Sequence, residues 1–234
     1  EALFALPGEV ESAIAAGAGA EPVGVGVFER RRPHRSELLA VVAFGAAPRA
    51  VERQRHGQPA ADRKVKIDWR AYETWWDGYD RAVLAEGETP PAALLAAAAE
   101  ADVVFASTLP RALATAKAAI GDKPVIEDPV FLEAPLPPPP IWGKRTPRAW
   151  GVWARMAWWL GRHAGRESRQ AAELRAEAAA ATLTARALRG ENVVLCAHGW
   201  FNRMMRPVLK AQGWRCVYDG GDTYWSFRRY EKTK

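Results

Sequence analysis

The apolar positions along the chain fall into short continuous runs separated by longer, alanine-rich or amphipathic stretches. Two runs, at 102–106 and 193–197, consist almost entirely of apolar residues. Runs of this length are typical of strands that are buried on both faces of a parallel sheet. Stretches rich in alanine and leucine at 90–101, 109–119 and 166–189 predict helices, since these residues favour the helical backbone.

The same reasoning extends to the segments between and after these elements. It predicts a strand within 124–132, a proline-rich loop at 135–140, an aromatic helix at 150–161, a helix at 202–210 and a closing strand at 224–230. Strands that alternate with helices pair in parallel and need helices on both faces of the sheet. The predicted fold class is therefore α/β, a three-layer sandwich with a mostly parallel central sheet flanked by helices.

The first 48 residues differ in composition from the rest, being rich in Ala, Gly, Val and Pro. Within them, 23–28 alternates with glycine and indicates a strand, while 38–44 is an apolar run that suits either a strand or a buried helix. We predict an N-terminal extension of unknown role at 1–48, followed by a main domain at 49–234. The extension either adds to the sheet or lies over the core.

Composition narrows the class of protein. The 234 residues are 49% hydrophobic and 26% charged, which are ordinary shares for a soluble globular protein. No apolar run reaches the roughly 18 residues of a membrane span, and no signal-peptide pattern is visible. We therefore expect no membrane partner. The two cysteines, Cys196 and Cys216, have no metal-ligand neighbours, and the simplest interpretation is a reduced, cytoplasmic protein.

The net charge of +6 raises the question of a nucleic-acid partner. However, the basic residues are spread along the chain, and only Arg30, Arg31 and Arg32 form a run. A solvated basic loop is the simpler interpretation of that run. We therefore expect no nucleic-acid partner.

Polar residues follow the predicted strands, at the edge of a parallel sheet where ligands usually bind. Four predicted strands are each followed by such residues. Arg55-His56-Gly57 follows a short polar strand at 50–54, and Ser107 to Arg111 follows 102–106. Glu133 comes just after the strand within 124–132, and His198-Gly199 follows 193–197. Two histidines, two arginines and one carboxylate are thus predicted to share one sheet edge.

This set of side chains has a clear chemical meaning. Arginines fork onto phosphate oxygens and neutralise their charge. A neutral imidazole attacks phosphorus in line, and a second imidazole hydrogen-bonds the equatorial oxygens. A carboxylic acid such as Glu133 supplies the proton that the leaving oxygen needs. No metal is required, because the arginines supply the positive charge.

The motifs Arg55-His56-Gly57, Ser107-Thr108-Leu109-Pro110-Arg111-Ala112 with Thr115-Ala116, Leu132-Glu133 and Ala197-His198-Gly199 resemble those of the histidine phosphatase superfamily, which is also called phosphoglycerate mutase-like. The resemblance runs from about residue 50 to the C-terminus and favours the phosphatase branch. It implies that 49–234 is a catalytic domain and that His56 is the phosphorylated nucleophile. It also implies that Arg55, Arg111 and His198 bind the phosphate and that Glu133 donates the proton.

By the same resemblance the substrate is a small-molecule phosphate ester, and neither a cofactor nor a metal is expected. The favoured function is phosphomonoester hydrolysis through phosphohistidine. A phosphomutase that uses the same intermediate and a non-catalytic module that binds a phospho-ligand remain alternatives. The sequence specifies neither the natural substrate nor the oligomeric state.

For some residues the sequence allows either a role in the site or a purely structural role. The chain has eleven tryptophans, which either wall a pocket for a bulky ester or pack the core, and packing is favoured. Ser107 either caps the following helix or touches the phosphate, and capping suffices to explain it. Arg63, Lys64, Lys144 and Arg145 either meet further anionic groups or are solvated.

Overall fold

A six-stranded sheet is the central layer of the part of the chain that the computed structural model describes. Residues 61–232 are described in full, and 36–42 are described as backbone. The strands are β1 (Ser36–Val42), β2 (Val103–Ala106), β3 (Val125–Glu127), β4 (Val193–Ala197), β5 (Arg215–Asp219) and β6 (Ser226–Lys232). Their order across the sheet is β3-β2-β4-β1-β6-β5. The first four in this order are parallel, and β6 and β5 complete the sheet with antiparallel pairing.

Six helices accompany the sheet in the same described part of the chain. They are α1 (Trp69–Arg81), α2 (Ala92–Ala99), α3 (Pro110–Ile120), α4 (Pro147–Trp159), α5 (Arg169–Ala187) and α6 (Gly199–Ala211), with a single 3-10 turn at Pro129–Phe131. No helix within 61–232 combines the length and the hydrophobicity that a bilayer-spanning segment requires.

Strands β2 and β4 separate two hydrophobic cores. Alternate residues of a strand point to opposite faces of a sheet. Accordingly, Phe105 and Leu195 pack in one core with α5 and α6, whereas Val104 and Val194 pack in the other with α2 and α3. This arrangement confirms the predicted three-layer α/β sandwich and explains why both strands are apolar at every position.

The strand register aligns the carboxyl ends of three parallel strands. Ala106 of β2 lies opposite Cys196 of β4, and Val42 of β1 lies opposite Ala197. Residues that directly follow β2 and β4 therefore emerge side by side at one edge of the sheet, which is the edge where the sequence predicts the site.

Strand β1 comes from the segment that the sequence assigns to the N-terminal extension. Within the apolar run at 38–44, the described residues up to Val42 therefore form a strand rather than a helix, and this strand adds to the sheet beside β4. The strands predicted at 23–28 and 50–54 lie outside the described residues. The division of the chain between residues 48 and 49 stays a prediction.

Helices α4 and α6 both begin earlier than predicted, and a side-chain cap accounts for the start of α4. Helix α4 begins three residues earlier than predicted because the Thr146 side chain accepts a hydrogen bond from the Ala149 N–H and Pro147 suits the first turn. Helix α6 begins at Gly199, also three residues earlier. Helix α1, which Asp68 caps, and strand β5 were not predicted.

Candidate active site

His198 occupies the position directly after β4, where it is the N-terminal cap residue of α6. Its side chain is fully buried, and its Nε2 atom lies 2.8 Å from Oγ of Ser107, which directly follows β2. Ser107 is equally buried. This contact is the direct result of the β2–β4 register, which brings the two strand ends together.

The contact also corrects the interpretation of Ser107 as a helix cap. Helix α3 has Leu109 as its N-terminal cap residue and no side-chain cap hydrogen bond. The Ser107 hydroxyl lies 3.4 Å from the Leu109 N–H, which is long for a hydrogen bond, and its short contact is with His198.

The surroundings of His198 keep its imidazole neutral. Burial is the largest cause and, with the nearby charges of Arg111 and Arg175, it lowers the pKa of His198 well below its ordinary value. A neutral imidazole has one nitrogen that donates and one that accepts a hydrogen bond. Such a group suits contact with phosphoryl oxygens without adding a full charge.

Arg111 lies in the first turn of α3 and is 1% exposed. Its guanidinium contacts the end of α1, where it donates to the carbonyl oxygen of Tyr79 at 3.1 Å and forms an ion pair with Asp80 at 3.0 Å. The same group lies 4.8 Å from the centre of the Tyr79 ring. Helix α1 thus positions the arginine that the sequence assigns to phosphate binding.

Asp80 is a site residue that the sequence analysis missed. Burial raises the pKa of Asp80 above its ordinary value, while the Arg111 guanidinium opposes that shift. The two residues are 31 positions apart, on helices with no motif in common, so no local pattern could have paired them.

Glu133 lies beside the N-terminus of α6. Its Oε1 atom accepts hydrogen bonds from the N–H groups of Phe201 and Ala134, both at 2.9 Å, and its Oε2 atom accepts one from the Trp200 N–H at 3.2 Å. The first N–H groups of a helix lack partners within the helix and favour a negative charge. The carboxylate is therefore held close to the residue that follows His198.

A cavity of about 390 Å³ opens at this edge of the sheet. Arg111, Glu133 and Gly199 are among its lining residues. Its other lining residues include the aromatic side chains of Trp75, Trp76, Tyr79, Trp200 and Tyr224 and the basic side chains of Arg63, Arg148, Arg155 and Arg203. Two of the predicted site residues thus face one cavity, and the residue directly after a third faces it as well.

The tryptophans divide between the two roles that the sequence left open. Trp75, Trp76 and Trp200 line the cavity, whereas Trp150 and Trp158 are buried in the core. Packing and wall formation therefore both occur, on different residues. The aromatic rings of α1 also stack on one another, with Trp75 and Tyr79 ring centres 5.1 Å apart.

Arg155 was not identified from the sequence, although it lines the cavity and is only 8% exposed. The predicted Arg63 also lines the cavity, where it donates a hydrogen bond to the Tyr224 hydroxyl. Lys64, Lys144 and Arg145 are not among the lining residues.

Arg55 and His56 lie outside the described residues, so their approach to His198 and Arg111 stays a prediction. Within 61–232, no three His, Cys, Asp or Glu side chains gather as the ligands of a metal ion would.

Comparison with known proteins identifies the family. The sequence model of the histidine phosphatase superfamily (branch 1) matches residues 54–215. This match covers most of the chain and each of the four motifs that the sequence analysis singled out. The chain belongs to the histidine phosphatase superfamily.

Solved structures with a similar fold include two phosphatases and a hydrolase. Mycobacterial hydrolase 1 is 20% identical, with a TM-score of 0.50 and coverage of 84% of this chain and 91% of that chain. A mycobacterial glucosyl-3-phosphoglycerate phosphatase is 22% identical, with a TM-score of 0.44 and coverage of 74% and 81%. A phosphoserine phosphatase from Entamoeba histolytica is 14% identical, with a TM-score of 0.46 and coverage of 82% and 89%.

Because these structures are only 14% to 22% identical to the chain, their similarity shows a shared fold and nothing about its activity. No curated protein sequence matches the chain significantly.

Proposed function

We propose that this protein is a metal-independent phosphomonoester hydrolase that acts through a phosphohistidine on His56. The observation that carries the proposal is that Arg111 and Glu133 line one cavity at the strand ends, beside the start of the helix that His198 caps. The family match supports it further, because it begins at residue 54 and so includes Arg55 and His56.

Substrate binding is assigned to the basic groups of the site. Arg55 and Arg111 fork onto the phosphoryl oxygens, and His198 hydrogen-bonds one of them. Because the pKa of His198 is lowered, its imidazole is neutral at neutral pH and binds by hydrogen bonding rather than by charge. Asp80 holds the Arg111 guanidinium in place by the ion pair between them.

In the first chemical step, a ring nitrogen of His56 attacks phosphorus from the side opposite the ester oxygen. The N–P bond forms as the P–O bond to the organic group breaks. Glu133 gives a proton to the leaving oxygen, so that an alcohol departs and a carboxylate remains. The three N–H groups around Glu133 fix its direction and stabilise the carboxylate that remains after the transfer.

In the second step, water attacks the phosphohistidine. Glu133 accepts a proton from the water as the new P–O bond forms and the N–P bond breaks. Inorganic phosphate leaves, and both His56 and Glu133 return to their starting states. The arginines stabilise the charge on the equatorial oxygens in both transition states.

The test is hydrolysis of a chromogenic aryl phosphate without added metal, with trapping of the enzyme-bound phosphoryl group by rapid quenching. The wild type is expected to release phosphate and to accumulate an acid-labile, base-stable phosphoryl-enzyme. His56→Ala should abolish both, and Glu133→Gln should lower kcat by about 10²- to 10⁴-fold. The control is His163→Ala, which replaces an exposed histidine and should behave as the wild type.

A wild type that binds phosphate but never turns over would assign the chain to the binding-module alternative. Transfer of the trapped phosphoryl group to a sugar-acid hydroxyl in preference to water would assign it to the mutase alternative. Either result overturns the proposed hydrolase.

A further inference from the structure

Helix α4 is apolar on two faces, and only one of them packs against the rest of the molecule. Trp150, Ala154 and Trp158 recur at every fourth position and are buried. The other face is exposed, and its large apolar side chains also recur at helical spacing. They are Val152, Trp153, Met156, Trp159 and, directly after the helix, Leu160. A helix that is apolar all round is normally covered on every side, so the exposed face indicates a binding surface.

The loop before α4 extends this apolar face. Trp142 is 96% exposed, and its carbonyl oxygen accepts a hydrogen bond of 2.7 Å from the Arg145 guanidinium. The same guanidinium lies 5.8 Å from the ring centre of Trp153, so the loop lies at the start of the exposed face. Trp142 and the five exposed residues of α4 are called the α4 surface below. All the tryptophans that are exposed in the described part of the chain belong to it.

The segment that contains the α4 surface is strongly basic. Between residues 134 and 166 the sequence has six Lys or Arg and no Asp or Glu, so this segment alone has a formal charge of +6. Lys144 and Arg148 lie at the start of α4, Arg162 follows its end, and all three are exposed. Within 61–232, none of the three forms an ion pair with a carboxylate. Cations therefore flank the apolar face at both ends.

Neighbouring helices bring two carboxylates near this segment, and each is balanced by an arginine. Asp77 of α1 lies 3.9 Å from Arg166, and Glu173 of α5 lies 2.9 Å from Arg169. The Arg169 guanidinium in turn lies 4.5 Å from the ring centre of Trp159. These pairs leave the positive charge at the two ends of α4 uncompensated, so the partner that complements the surface is both apolar and anionic.

An anionic lipid membrane has this combination of properties. A helix with exposed Trp and Leu on one face and Lys or Arg beside it buries its apolar side chains about 5–10 Å into the membrane interface. Its basic side chains contact the lipid phosphates, and tryptophan rings are enriched at this depth. Such a helix lies in the plane of the membrane. The expectation of no membrane partner rested on the absence of a spanning segment, which is a different criterion.

A second copy of the chain complements the same surface less well. A twofold contact brings the same surface of both copies together. Whether two α4 helices then pack parallel or antiparallel, the groups that meet at their ends are cations, namely Lys144, Arg148 and Arg162. Like charges in an interface disfavour association, whereas an anionic membrane attracts the cations at both ends.

We propose that the protein binds the surface of anionic membranes through the α4 surface. The apolar side chains insert between the lipid headgroups, and Lys144, Arg148 and Arg162 contact the lipid phosphates. Val152, Met156 and Arg148 also line the cavity, so the cavity lies beside the bound membrane. This inference goes beyond the proposed function and does not depend on it.

The experiment measures how the full chain sediments with lipid vesicles. One set of vesicles consists of phosphatidylcholine alone, and the other contains about 30% phosphatidylserine as the anionic lipid. The wild type is expected to bind the phosphatidylserine vesicles at least about 10-fold more tightly. Added salt should weaken this binding, because it screens the attraction between the basic side chains and the lipid phosphates.

Leu160→Ser tests the apolar part of the surface. Leu160 is 86% exposed, so its substitution should leave the fold intact while lowering the affinity for phosphatidylserine vesicles about 10-fold. The matched control is Leu188→Ser. Leu188 is 58% exposed and is the C-terminal cap residue of α5, as Leu160 is of α4. The control variant should bind within about 2-fold of the wild type.

The double substitution Lys144→Gln with Arg162→Gln tests the basic part. It should lower the affinity for the same vesicles about 10- to 30-fold, since each basic residue near a membrane surface contributes about 5-fold. Its control, Lys117→Gln with Lys210→Gln, removes the same charge from exposed positions on α3 and α6. The control variant should keep most of the wild-type affinity.

Equal binding of the two vesicle types by the wild type, or binding to neither, overturns the inference without any variant having to fold. Equal losses in the test and control double variants would show that net charge alone drives binding and would overturn the assignment to α4. Dimerisation that Leu160→Ser abolishes, without vesicle binding, would assign the surface to a second copy and would overturn it too. Because hydrolysis is not measured, these outcomes leave the proposed hydrolase to its own test.

Discussion

At the scale of single residues, the contact between Ser107 and His198 links the two strand ends on which the site depends. Both side chains are fully buried, and their hydrogen bond is 2.8 Å long. In a buried imidazole, a hydrogen-bond partner fixes the direction in which a ring nitrogen points and which nitrogen carries the proton. The serine hydroxyl supplies that direction, so Ser107 acts as a positioning residue for His198.

Ser107→Ala is expected to lower kcat about 10-fold and to reduce the free energy of unfolding by about 1–3 kcal/mol, because the buried hydrogen bond is lost. Steady-state kinetics on an aryl phosphate and urea unfolding measure the two effects. Ser168→Ala, which removes the N-terminal cap of α5, should cost about 1 kcal/mol of stability but leave kcat unchanged. An unaltered kcat in Ser107→Ala would contradict the positioning role.

At the scale of elements, Arg175 of α5 forms hydrogen bonds to the segment that carries Glu133. The Arg175 guanidinium forms a bidentate ion pair with Glu167, with both contacts at 2.7 Å. It also donates to the carbonyl oxygens of Val130 and Leu132, at 2.8 and 2.7 Å. The last of these precedes Glu133 directly, so the arginine determines where that segment passes over the core.

Arg175→Met should lower the free energy of unfolding by about 2–3 kcal/mol, since the ion pair is largely but not fully buried. It should also lower kcat about 10-fold, because Glu133 is then less well placed. Urea unfolding and kinetics measure both effects. Arg169→Met, which breaks an exposed ion pair with Glu173 on the same helix, should cost no more than about 0.5 kcal/mol. Equal effects of the two substitutions would rule out this special role for Arg175.

At the scale of the whole molecule, the site is assembled where the two cores meet the edge of the sheet. Strand β4 contributes to both cores, and it places His198 in a fully buried position. Global unfolding exposes this imidazole to water. The protonation of His198 is therefore coupled to the stability of the entire fold.

Stability is expected to fall as the pH drops below about 6.5, the ordinary value for an exposed histidine. The folded-state pKa of His198 is lowered, so below pH of about 6.5 the unfolded chain binds a proton that the folded chain excludes. The resulting decrease in the free energy of unfolding approaches about 1.4 kcal/mol per pH unit.

Urea unfolding between neutral pH and mildly acidic pH measures this slope. His198→Asn should flatten it by about the same amount. The same substitution at the exposed His163 serves as the control and should leave the slope as it is in the wild type. A slope that is unaffected by His198→Asn would show that other groups govern the acid sensitivity.

Much of the fold was predictable because the signals that specify it are local. Strand β4 is predicted at its observed bounds, and β2 to within one residue, since both are continuous apolar runs with polar ends. Helix α1 was missed because tryptophan and tyrosine are only moderate helix formers. Its aromatic residues are stabilised by packing with Trp150 of α4, which is distant in sequence. Strand β5 is exposed at every position, so it shows no hydrophobic pattern.

By itself, the sequence determined the α/β class, the order of the central elements and the motif residues Arg111, Glu133 and His198, because apolar periodicity and strand-end position are properties of neighbouring residues. Only the tertiary structure decided that Asp80 holds Arg111, that Ser107 contacts His198 and that Arg155 faces the cavity between two tryptophans. Each of these contacts joins residues from separate elements, and which side chains meet there depends on strand register and helix packing, which no local pattern encodes.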